Sequence, residues 1–289
     1  MTITILDGGI SRELQRLGAP FRQPEWSALA LIETPHLVAQ AHDDFAEAGA
    51  QIVTTNSYAV VPFHIGADRF ASDGARLAAL AGETARGIAD KRAIKVAGSL
   101  PPVLGSYRPD LFEKEAAREL ISVLINGLSP YVDIWLAEAL STLAEADLIA
   151  ELLAGDVRPL WLSFTLKDDG VPLLRSGETV ESAAMLATRL NVDAILFNCS
   201  CPEVMEAAVQ TARTILGDHG IAIGVYANGF AAKADDKVAN GDLQQIRDDL
   251  GPTAYLAWAK RWVASGANLV GGCCGIGAEH IRVLADGLR

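Results

Sequence analysis

Four cysteines stand in the second half of this 289-residue chain, and three of them end apolar segments. Cys273 and Cys274 are adjacent and lie among glycines in the segment 269–275, while Cys199 ends the apolar run 194–199. Thiolates are good ligands for Zn²⁺, and three protein ligands leave the fourth tetrahedral position for water or a substrate. The pattern therefore predicts a reactive zinc site formed by Cys199, Cys273 and Cys274.

Two alternatives compete with this interpretation. An isolated cysteine is usually a small buried hydrophobe, although an adjacent pair near a third strand end favours a site. Cys201 could be a fourth ligand that closes the site, but its position beside Pro202 at a helix start is more typical of a capping residue. Neighbouring residues of a strand point to opposite faces. Cys273 and Cys274 can therefore face one site only if the flanking glycines break the strand.

The elements that must position these thiols alternate regularly along the chain. The predicted strands are 3–6, 51–58, 95–100, 133–138, 159–165, 194–199, 221–227 and 269–273. The predicted helices are 11–17, 35–48, 75–90, 111–126, 142–155, 179–190, 202–216, 253–264 and 278–288. Eight apolar strands, each followed by a helix, indicate an α/β protein with a closed parallel barrel, the (β/α)8 TIM barrel. Reactive groups in such a barrel lie at the C-terminal ends of the strands, where these cysteines fall.

The composition limits the class of protein and its partners. A formal net charge of −12 argues against a nucleic-acid-binding surface, which needs a basic face. No apolar run reaches the roughly 18 residues that cross a bilayer. The N-terminus shows no Lys/Arg-rich region followed by an apolar stretch, so we expect no signal peptide. No linker interrupts the chain, so one domain over residues 1–289 is predicted. We expect a cytoplasmic enzyme without nucleic-acid or membrane partners, and its oligomeric state is left open.

Several short motifs, taken together, resemble the homocysteine S-methyltransferase family. That family includes S-methylmethionine-dependent and betaine-dependent enzymes and the homocysteine half of cobalamin-dependent methionine synthase. The motifs follow one another in order over nearly the whole chain, and Asn-Cys followed much later by Gly-Gly-Cys-Cys is the most specific. They are Asp7-Gly8-Gly9, Trp26-Ser27, Thr54-Thr55-Asn56-Ser57-Tyr58, Val96-Ala97-Gly98-Ser99, Ser163-Phe164-Thr165, Asn198-Cys199, Tyr226-Ala227-Asn228-Gly229 and Gly271-Gly272-Cys273-Cys274-Gly275.

The resemblance implies a function and a role for particular residues. The three cysteines would hold Zn²⁺, and the thiol of homocysteine would take the open position and accept a methyl group, giving methionine. The methyl donor would be a small sulfonium compound, S-methylmethionine or S-adenosylmethionine. Asp7 and Glu138 would be the catalytic carboxylates that bind the α-ammonium group of homocysteine. The N–H groups of Gly9 and Ile10 would bind its α-carboxylate near a helix start.

Three further residues receive binding roles from the same resemblance. Trp26 and Tyr58 would form a wall of the donor pocket, because aromatic faces attract a cationic methyl donor. Asn198 would orient the site through its amide. Ordinary packing is the competing interpretation for the two aromatic residues, and a simple Asp-Gly turn is the competing interpretation for Asp7. The five histidines lack metal-ligand spacing and are predicted to be surface or capping residues.

The chain also departs from the family pattern at several positions. Ala139 stands where the family usually has threonine, Ala227 where it has proline, and Phe230 where it has an acidic residue. Leu196 lies in the segment where a glycine normally precedes the first cysteine. These changes are predicted to line the mouth of the site, which leaves two alternatives open. The acceptor could be another thiol or a selenol, or the protein could bind metal or thiols without catalysis.

Overall fold

The computed structural model describes residues 2–231 and 246–289 and contains a single eight-stranded parallel sheet. The strands are β1 (Thr4–Ile5), β2 (Ile52–Thr54), β3 (Lys95–Leu100), β4 (Ile134–Leu140), β5 (Leu160–Thr165), β6 (Ala194–Asn198), β7 (Ala222–Tyr226) and β8 (Leu269–Val270). The helices are α1 (Ile10–Arg16), α2 (Ser27–Glu33), α3 (Pro35–Glu47), α4 (Pro62–Ile65), α5 (Ala67–Arg92), α6 (Lys114–Leu128), α7 (Leu143–Leu152), α8 (Val180–Leu190), α9 (Pro202–Leu216), α10 (Pro252–Ser265) and α11 (Ala278–Leu288).

The sheet closes on itself. Each strand pairs in parallel with its neighbours in the order β1-β8-β7-β6-β5-β4-β3-β2. A parallel bridge between Leu6 and Ile52 and a 2.8 Å hydrogen bond from the Gln51 N–H to the Ile5 carbonyl join the two ends. The predicted (β/α)8 TIM barrel is therefore confirmed.

Alternation along the strands divides the apolar side chains into two sets. The set that faces the barrel axis forms one buried cluster, namely Leu6, Ile52, Ala97, Ile134, Leu136, Trp161, Ala194, Leu196, Tyr226 and Leu269. The other set packs against the helices in a second, larger cluster. Because side chains fill the axis of the barrel, room for small molecules lies beyond them, at the C-terminal ends of the strands.

Several predicted boundaries differ from the structure for local reasons. The helix predicted from residue 75 begins at Ala67, because Gly74 lies within α5 beside Phe70 and does not end it. The helix predicted from residue 111 begins at Lys114, where the Glu113 carboxylate caps α6 by accepting the Ala116 N–H at 2.7 Å. The short helices α2 and α4 were not predicted at all.

The capping box predicted at the start of α7 is present. The Glu145 N–H donates to the Thr142 hydroxyl at 3.1 Å, and the Thr142 N–H donates to the Glu145 carboxylate at 2.9 Å. Burial raises the pKa of Glu145 to about 7. This carboxylate lies outside the functional cavity described below, so it offers a useful comparison with the carboxylates inside.

The prediction that all five histidines are surface or capping residues is wrong for two of them. His42 lies on the inner face of α3 with Val38 and Phe45, is fully buried, and has no hydrogen-bond partner among the described residues. Burial lowers its pKa to about 4. His64 is also buried, in α4. Within the ranges that the structure describes, no helix is long and apolar enough to cross a membrane.

Candidate active site

Three thiols converge at the C-terminal end of the barrel. The sulfur of Cys274 lies 3.9 Å from that of Cys199 and 4.0 Å from that of Cys273, and all three sulfurs lie within 4.8 Å of one another. Tetrahedral zinc with Zn–S bonds of about 2.3 Å would hold its sulfur ligands about 3.8 Å apart. The thiol spacing therefore fits a single shared zinc ion with a fourth position to spare.

Cys201 does not belong to this cluster. It is the N-cap residue of α9, and its sulfur lies 3.8 Å from the carbonyl oxygen of Phe230. Burial raises the pKa of its thiol to about 12. The geometry thus agrees with a capping position for Cys201 and places its sulfur outside the three-thiol cluster.

The turn that carries Cys273 and Cys274 is held by its backbone. Strand β8 ends at Val270, and the Cys273 N–H then donates to the Ala227 carbonyl at 2.9 Å. The Cys274 carbonyl accepts from Gly229 at 2.7 Å, which ties the turn to the end of β7. Gly275 has φ +84°, a conformation that glycine adopts without strain. The strand is therefore broken where the glycines predicted, and the two adjacent thiols face the same site.

Cys199 reaches the cluster by a different route. Strand β6 ends one residue earlier than predicted, at Asn198, and Cys199 itself has φ +52°. The left-handed conformation is unusual for a residue with a Cβ atom and tends to occur at functional sites. Six non-glycine residues of the described chain have positive φ, and four of them, Trp26, Tyr107, Ala139 and Cys199, line the same cavity.

That cavity opens at the mouth of the barrel and has a volume of about 860 Å³ counted out to solvent. Its lining includes the three thiols, here called the sulfur wall, and the side chains of Asp7 and Glu138, here called the carboxylate wall. The three thiols and the two carboxylates therefore share one open cavity.

Both carboxylates in the cavity are buried and hydrogen-bonded. Asp7 accepts from the Thr54 N–H at 2.6 Å and from the Thr54 hydroxyl at 3.0 Å. Burial raises the pKa of Asp7 to about 7 despite these bonds. Glu138 accepts from the hydroxyls of Ser99 and, at 3.3 Å, Tyr226. Burial, with a smaller contribution from the nearby charge of Asp7, raises the pKa of Glu138 to about 7. A cationic group between them would favour the ionised form of both.

A β-bulge in β4 directs Glu138 into the cavity. After the bulge, the strand again packs against the helices. Ala137 pairs with Leu162 and Leu140 with Phe164, so the register of β4 shifts between Ala137 and Leu140. The extra residue is Ala139, with φ +55°, and its N–H donates to the Asn198 side-chain oxygen at 3.1 Å. Bulges commonly redirect side chains beside active sites, and this one follows directly after Glu138.

Comparison with known proteins agrees with the geometry. A sequence profile described as homocysteine S-methyltransferase matches residues 4–288. The chain belongs to the homocysteine S-methyltransferase family. It is accordingly a methyltransferase, as the sequence predicted, and the resemblance in its motifs is confirmed.

Relatives and solved structures match over almost the whole chain. Homocysteine S-methyltransferase 3 from Arabidopsis thaliana is 29% identical, over 97% of this chain and 88% of that protein. A selenocysteine methyltransferase from Astragalus bisulcatus is 27% identical, over 96% of this chain and 90% of that protein. The crystal structure of the homocysteine methyltransferase MmuM from Escherichia coli, in a metallated form, superposes with a TM-score of 0.81. It is 27% identical, and the match covers 99% of this chain and 96% of that one.

The structure brings every residue singled out from the sequence to this one cavity. They are Asp7, Gly9, Ile10, Trp26, Tyr58, Glu138, Asn198, Cys199, Cys273 and Cys274. Asn198 accepts from the Ser163 hydroxyl at 2.8 Å as well as from Ala139, so its amide oxygen holds the ends of two neighbouring strands. Trp26 lies 5.8 Å from the ring of His64, with the two rings tilted by 43°.

The prediction for Gly9 requires correction. Its N–H donates to the Ile276 carbonyl at 2.8 Å and is therefore not available to a carboxylate. A Cβ atom at this position would lie 2.3 Å from the Cys273 carbonyl oxygen, so only glycine allows β1 to approach the cysteine turn so closely. Ile10 begins α1, and the amides of a first helical turn lack acceptors within the helix.

The four departures from the family pattern were predicted to line the mouth, and this is wrong for three of them. Only Ala139 lines the cavity. Leu196 faces the barrel axis, in the space beside Gly224, where a Cβ atom would lie 2.5 Å from the leucine side chain. Ala227 and Phe230 contribute carbonyl groups to the contacts described above. Of these four positions, therefore, only Ala139 belongs to the lining of the cavity.

Sequence reasoning missed three side chains of the site. Tyr107 follows β3, and its hydroxyl lies 2.7 Å from the Cys199 sulfur. Tyr226 contacts Glu138, and His64 lies beside Trp26 with its Nδ1 atom 2.8 Å from the Pro24 carbonyl oxygen. Tyr226 stood in a quoted motif at a strand end, which was a usable signal. Tyr107 and His64 lie outside the predicted strands, where no local pattern indicates which way a side chain points.

Proposed function

We propose that this methyltransferase moves a methyl group from a small sulfonium donor to the thiol of homocysteine and forms methionine. The observation that carries the proposal is the three-thiol cluster, which shares one cavity with two buried carboxylates. Thiols suit a soft cation, and carboxylates in a low-dielectric wall suit an ammonium group. Homocysteine carries a thiol and an ammonium group on one short chain.

In this proposal Cys199, Cys273 and Cys274 hold Zn²⁺, and the acceptor sulfur takes the remaining ligand position. The sulfur spacing of 3.9–4.0 Å supports this assignment. Zinc coordination would keep the acceptor sulfur in its thiolate form near neutral pH, and the thiolate is the nucleophile.

Asp7 and Glu138 bind the ammonium group of the acceptor and thereby orient its sulfur. Each carboxylate is already fixed by hydroxyl or backbone donors, so it loses little conformational freedom on binding. Ile10 and Ser11, in the first turn of α1, line the cavity, and we assign the α-carboxylate to their N–H groups in place of that of Gly9. Holding both ends of a short molecule positions the reacting atom, which is a major source of rate enhancement.

The donor binds on the remaining side of the cavity. Trp26, Tyr58 and His64 line the cavity, and we assign their rings to the donor. A sulfonium cation is attracted to such faces, and the neutral sulfide that leaves after methyl transfer is not. Burial lowers the pKa of His64, which favours the neutral imidazole and so reduces repulsion of a cation. S-Methylmethionine or S-adenosylmethionine would satisfy this chemistry.

The test measures zinc and product on the same purified protein. Zinc per chain is determined first, and methionine formation from homocysteine is then assayed in parallel with S-methylmethionine, S-adenosylmethionine and betaine. We expect about one zinc per chain and methionine from a sulfonium donor. Bound zinc without methionine from any donor would contradict the proposed reaction, and protein purified under reducing conditions without zinc would contradict the proposed site.

A second acceptor is favoured by a specific observation. One relative that matches 96% of this chain is named a selenocysteine methyltransferase. Selenocysteine is one methylene shorter than homocysteine, and a single methylene in a pocket is worth only about 1–3 kcal/mol. Competition between homocysteine and selenocysteine for one donor, followed by quantifying the two methylated products, measures the preference directly.

A further inference from the structure

The Tyr107 side chain approaches a cluster thiol from outside the cluster. The Tyr107 hydroxyl lies 2.7 Å from the Cys199 sulfur. A thiolate carries no proton, so in the ionised cluster the phenol must be the donor. Tyr107 has φ +63°, in the loop after β3, so the backbone adopts an unfavourable conformation where this ring enters the cavity.

The proposed reaction creates a selectivity problem that this contact addresses. A methyl donor in the cavity would face the acceptor thiolate and also the thiolates of the protein. Attack by Cys199 would form a bond from its sulfur to the methyl carbon and break the bond from that carbon to the donor sulfur. The donor would leave as a neutral sulfide with the bonding electron pair, and Cys199 would become a thioether and a poor metal ligand.

We propose that Tyr107 is a positioning residue that protects Cys199 from methylation by donating a hydrogen bond to its sulfur. A hydrogen bond to a thiolate stabilises the lone pair that would attack, so it lowers the nucleophilicity of that sulfur. The acceptor sulfur has no such donor from Tyr107 and stays the more reactive one. This inference rests on the proposed function, because it concerns the choice between sulfurs in that reaction.

A buried ion pair holds the ring of Tyr107 in place. The Arg175 guanidinium lies 5.6 Å from the centre of the ring and pairs with Asp168 at 2.9 Å. The two charged side chains are only 6% and 1% exposed, so the pair is shielded from solvent. Asp168 also accepts the Cys201 N–H at 2.8 Å, which links the pair to the segment that carries Cys199. Tyr107 and Cys199 are therefore fixed relative to each other by one network.

Methyl iodide tests this inference without depending on the natural donor or acceptor. Zinc-loaded wild type, Tyr107→Phe and Tyr58→Phe are treated with the reagent, and S-methylation of each cysteine is followed by peptide mass spectrometry. Tyr107→Phe keeps the ring beside Arg175 and removes only the hydroxyl. Tyr58→Phe is the matched control, because the Tyr58 hydroxyl pairs with Ser106 at 2.7 Å and not with a sulfur.

We expect Tyr107→Phe to accelerate methylation of Cys199 on the order of tenfold, the effect of one charged hydrogen bond. Cys273 and Cys274 should change much less, and Tyr58→Phe should react as the wild type does. Equal rates at Cys199 in wild type and Tyr107→Phe would overturn the inference. So would equal acceleration of all three cysteines or of both variants, because either result would mean that the cavity had simply opened.

A second variant and a second assay distinguish failure of this inference from failure of the proposed function. Arg175→Gln leaves the hydroxyl but removes the cation beside the ring, and a smaller acceleration confined to Cys199 is expected. Failure of wild type to form methionine would contradict the proposed function and leave the methyl iodide comparison intact. Where methionine is formed, Tyr107→Phe should also accumulate methyl-Cys199 during turnover; its absence after many turnovers would count against the protective role.

Discussion

The two walls of the cavity are built in different ways. The sulfur wall depends on backbone geometry: Cys199 has a left-handed conformation, and the turn with Cys273 and Cys274 is held by backbone hydrogen bonds to the end of β7. The carboxylate wall depends more on burial and polar donors, because burial, hydroxyl groups and the Thr54 N–H set the state of Asp7 and Glu138. Loss of one thiol should therefore abolish zinc binding in an all-or-none way. Changes of charge or pH at the carboxylate wall should instead alter homocysteine affinity gradually.

The largest effect is expected from removing a cluster thiol. Cys273→Ala leaves two of the three sulfurs and should reduce bound zinc from about one ion per chain to almost none. Cys201→Ala is the matched control, because Cys201 lies only two residues after the ligand Cys199 but outside the cluster. Metal analysis after dialysis against a weak chelator measures both variants. Retention of zinc by Cys273→Ala together with its loss from Cys201→Ala would reverse the ligand assignment.

This contrast explains how much of the site could be predicted from the sequence. Thiols between glycines at strand ends are a local pattern, so the sulfur wall was predicted before any geometry was known. The barrel followed from strand–helix alternation in the same way. The helix start at Ala67 was not predicted, because a glycine inside a helix and a glycine that ends one look alike in sequence.

The contacts of the carboxylate wall could not be predicted in the same way. Glu138 was singled out, but its partners Ser99 and Tyr226 come from other strands, and their proximity depends on register and on the bulge at Ala139. Asp7 likewise meets Thr54 across the closure of the barrel. The approach of Gly9 to the cysteine turn is a further long-range contact, which explains why its amide was assigned to a ligand incorrectly.

The next largest effect is expected at the carboxylate wall. Glu138→Gln keeps the shape of the side chain and removes the charge that would pair with the acceptor ammonium. A charged hydrogen bond is worth about 1.5–3 kcal/mol, so homocysteine should bind roughly 10- to 150-fold more weakly. Calorimetric titration of zinc-loaded protein measures this affinity, and the zinc content should not change.

Glu145→Gln is the matched control for that variant. Glu145 is also buried, and its pKa is likewise raised to about 7, but it caps α7 and does not line the cavity. Glutamine keeps an acceptor oxygen for the Thr142 N–H and also suits this position of a capping box. The substitution should therefore change the melting temperature little and leave homocysteine affinity unchanged. If both variants weaken binding equally, Glu138 contributes only through stability and the two walls do not differ as described.

A smaller and graded effect is expected from pH. The pKa values of Asp7 and Glu138 are raised to about 7, so each carboxyl gains a proton as the pH falls through 7. Pairing with an ammonium group requires the ionised form, and binding must then expel that proton. The dissociation constant for homocysteine should therefore increase about tenfold per pH unit below 7 for each carboxyl that must ionise.

A thiol without an amino group, 4-mercaptobutanoate, separates this effect from the pH dependence of the sulfur wall. Its binding shares the deprotonation of the thiol but not the pairing with Asp7 and Glu138. The two ligands should diverge below pH 7 and run parallel above pH 8, with zinc content checked at each pH. Parallel profiles over the whole range would show that the carboxylates are not linked to the ammonium group.

The smallest effect isolates one hydrogen bond within the carboxylate wall. The Tyr226 hydroxyl donates to Glu138 at 3.3 Å, and this bond lowers the pKa of Glu138 against the upward effect of burial. Tyr226→Phe should raise that pKa further, so homocysteine binding at pH 7 should weaken only a few-fold. This loss of homocysteine affinity should nearly disappear at pH 8.5, where Glu138 is ionised in both the wild type and Tyr226→Phe. A loss that persists there would mean that the ring has moved and that this wall, like the sulfur wall, depends on fixed geometry more than on charge.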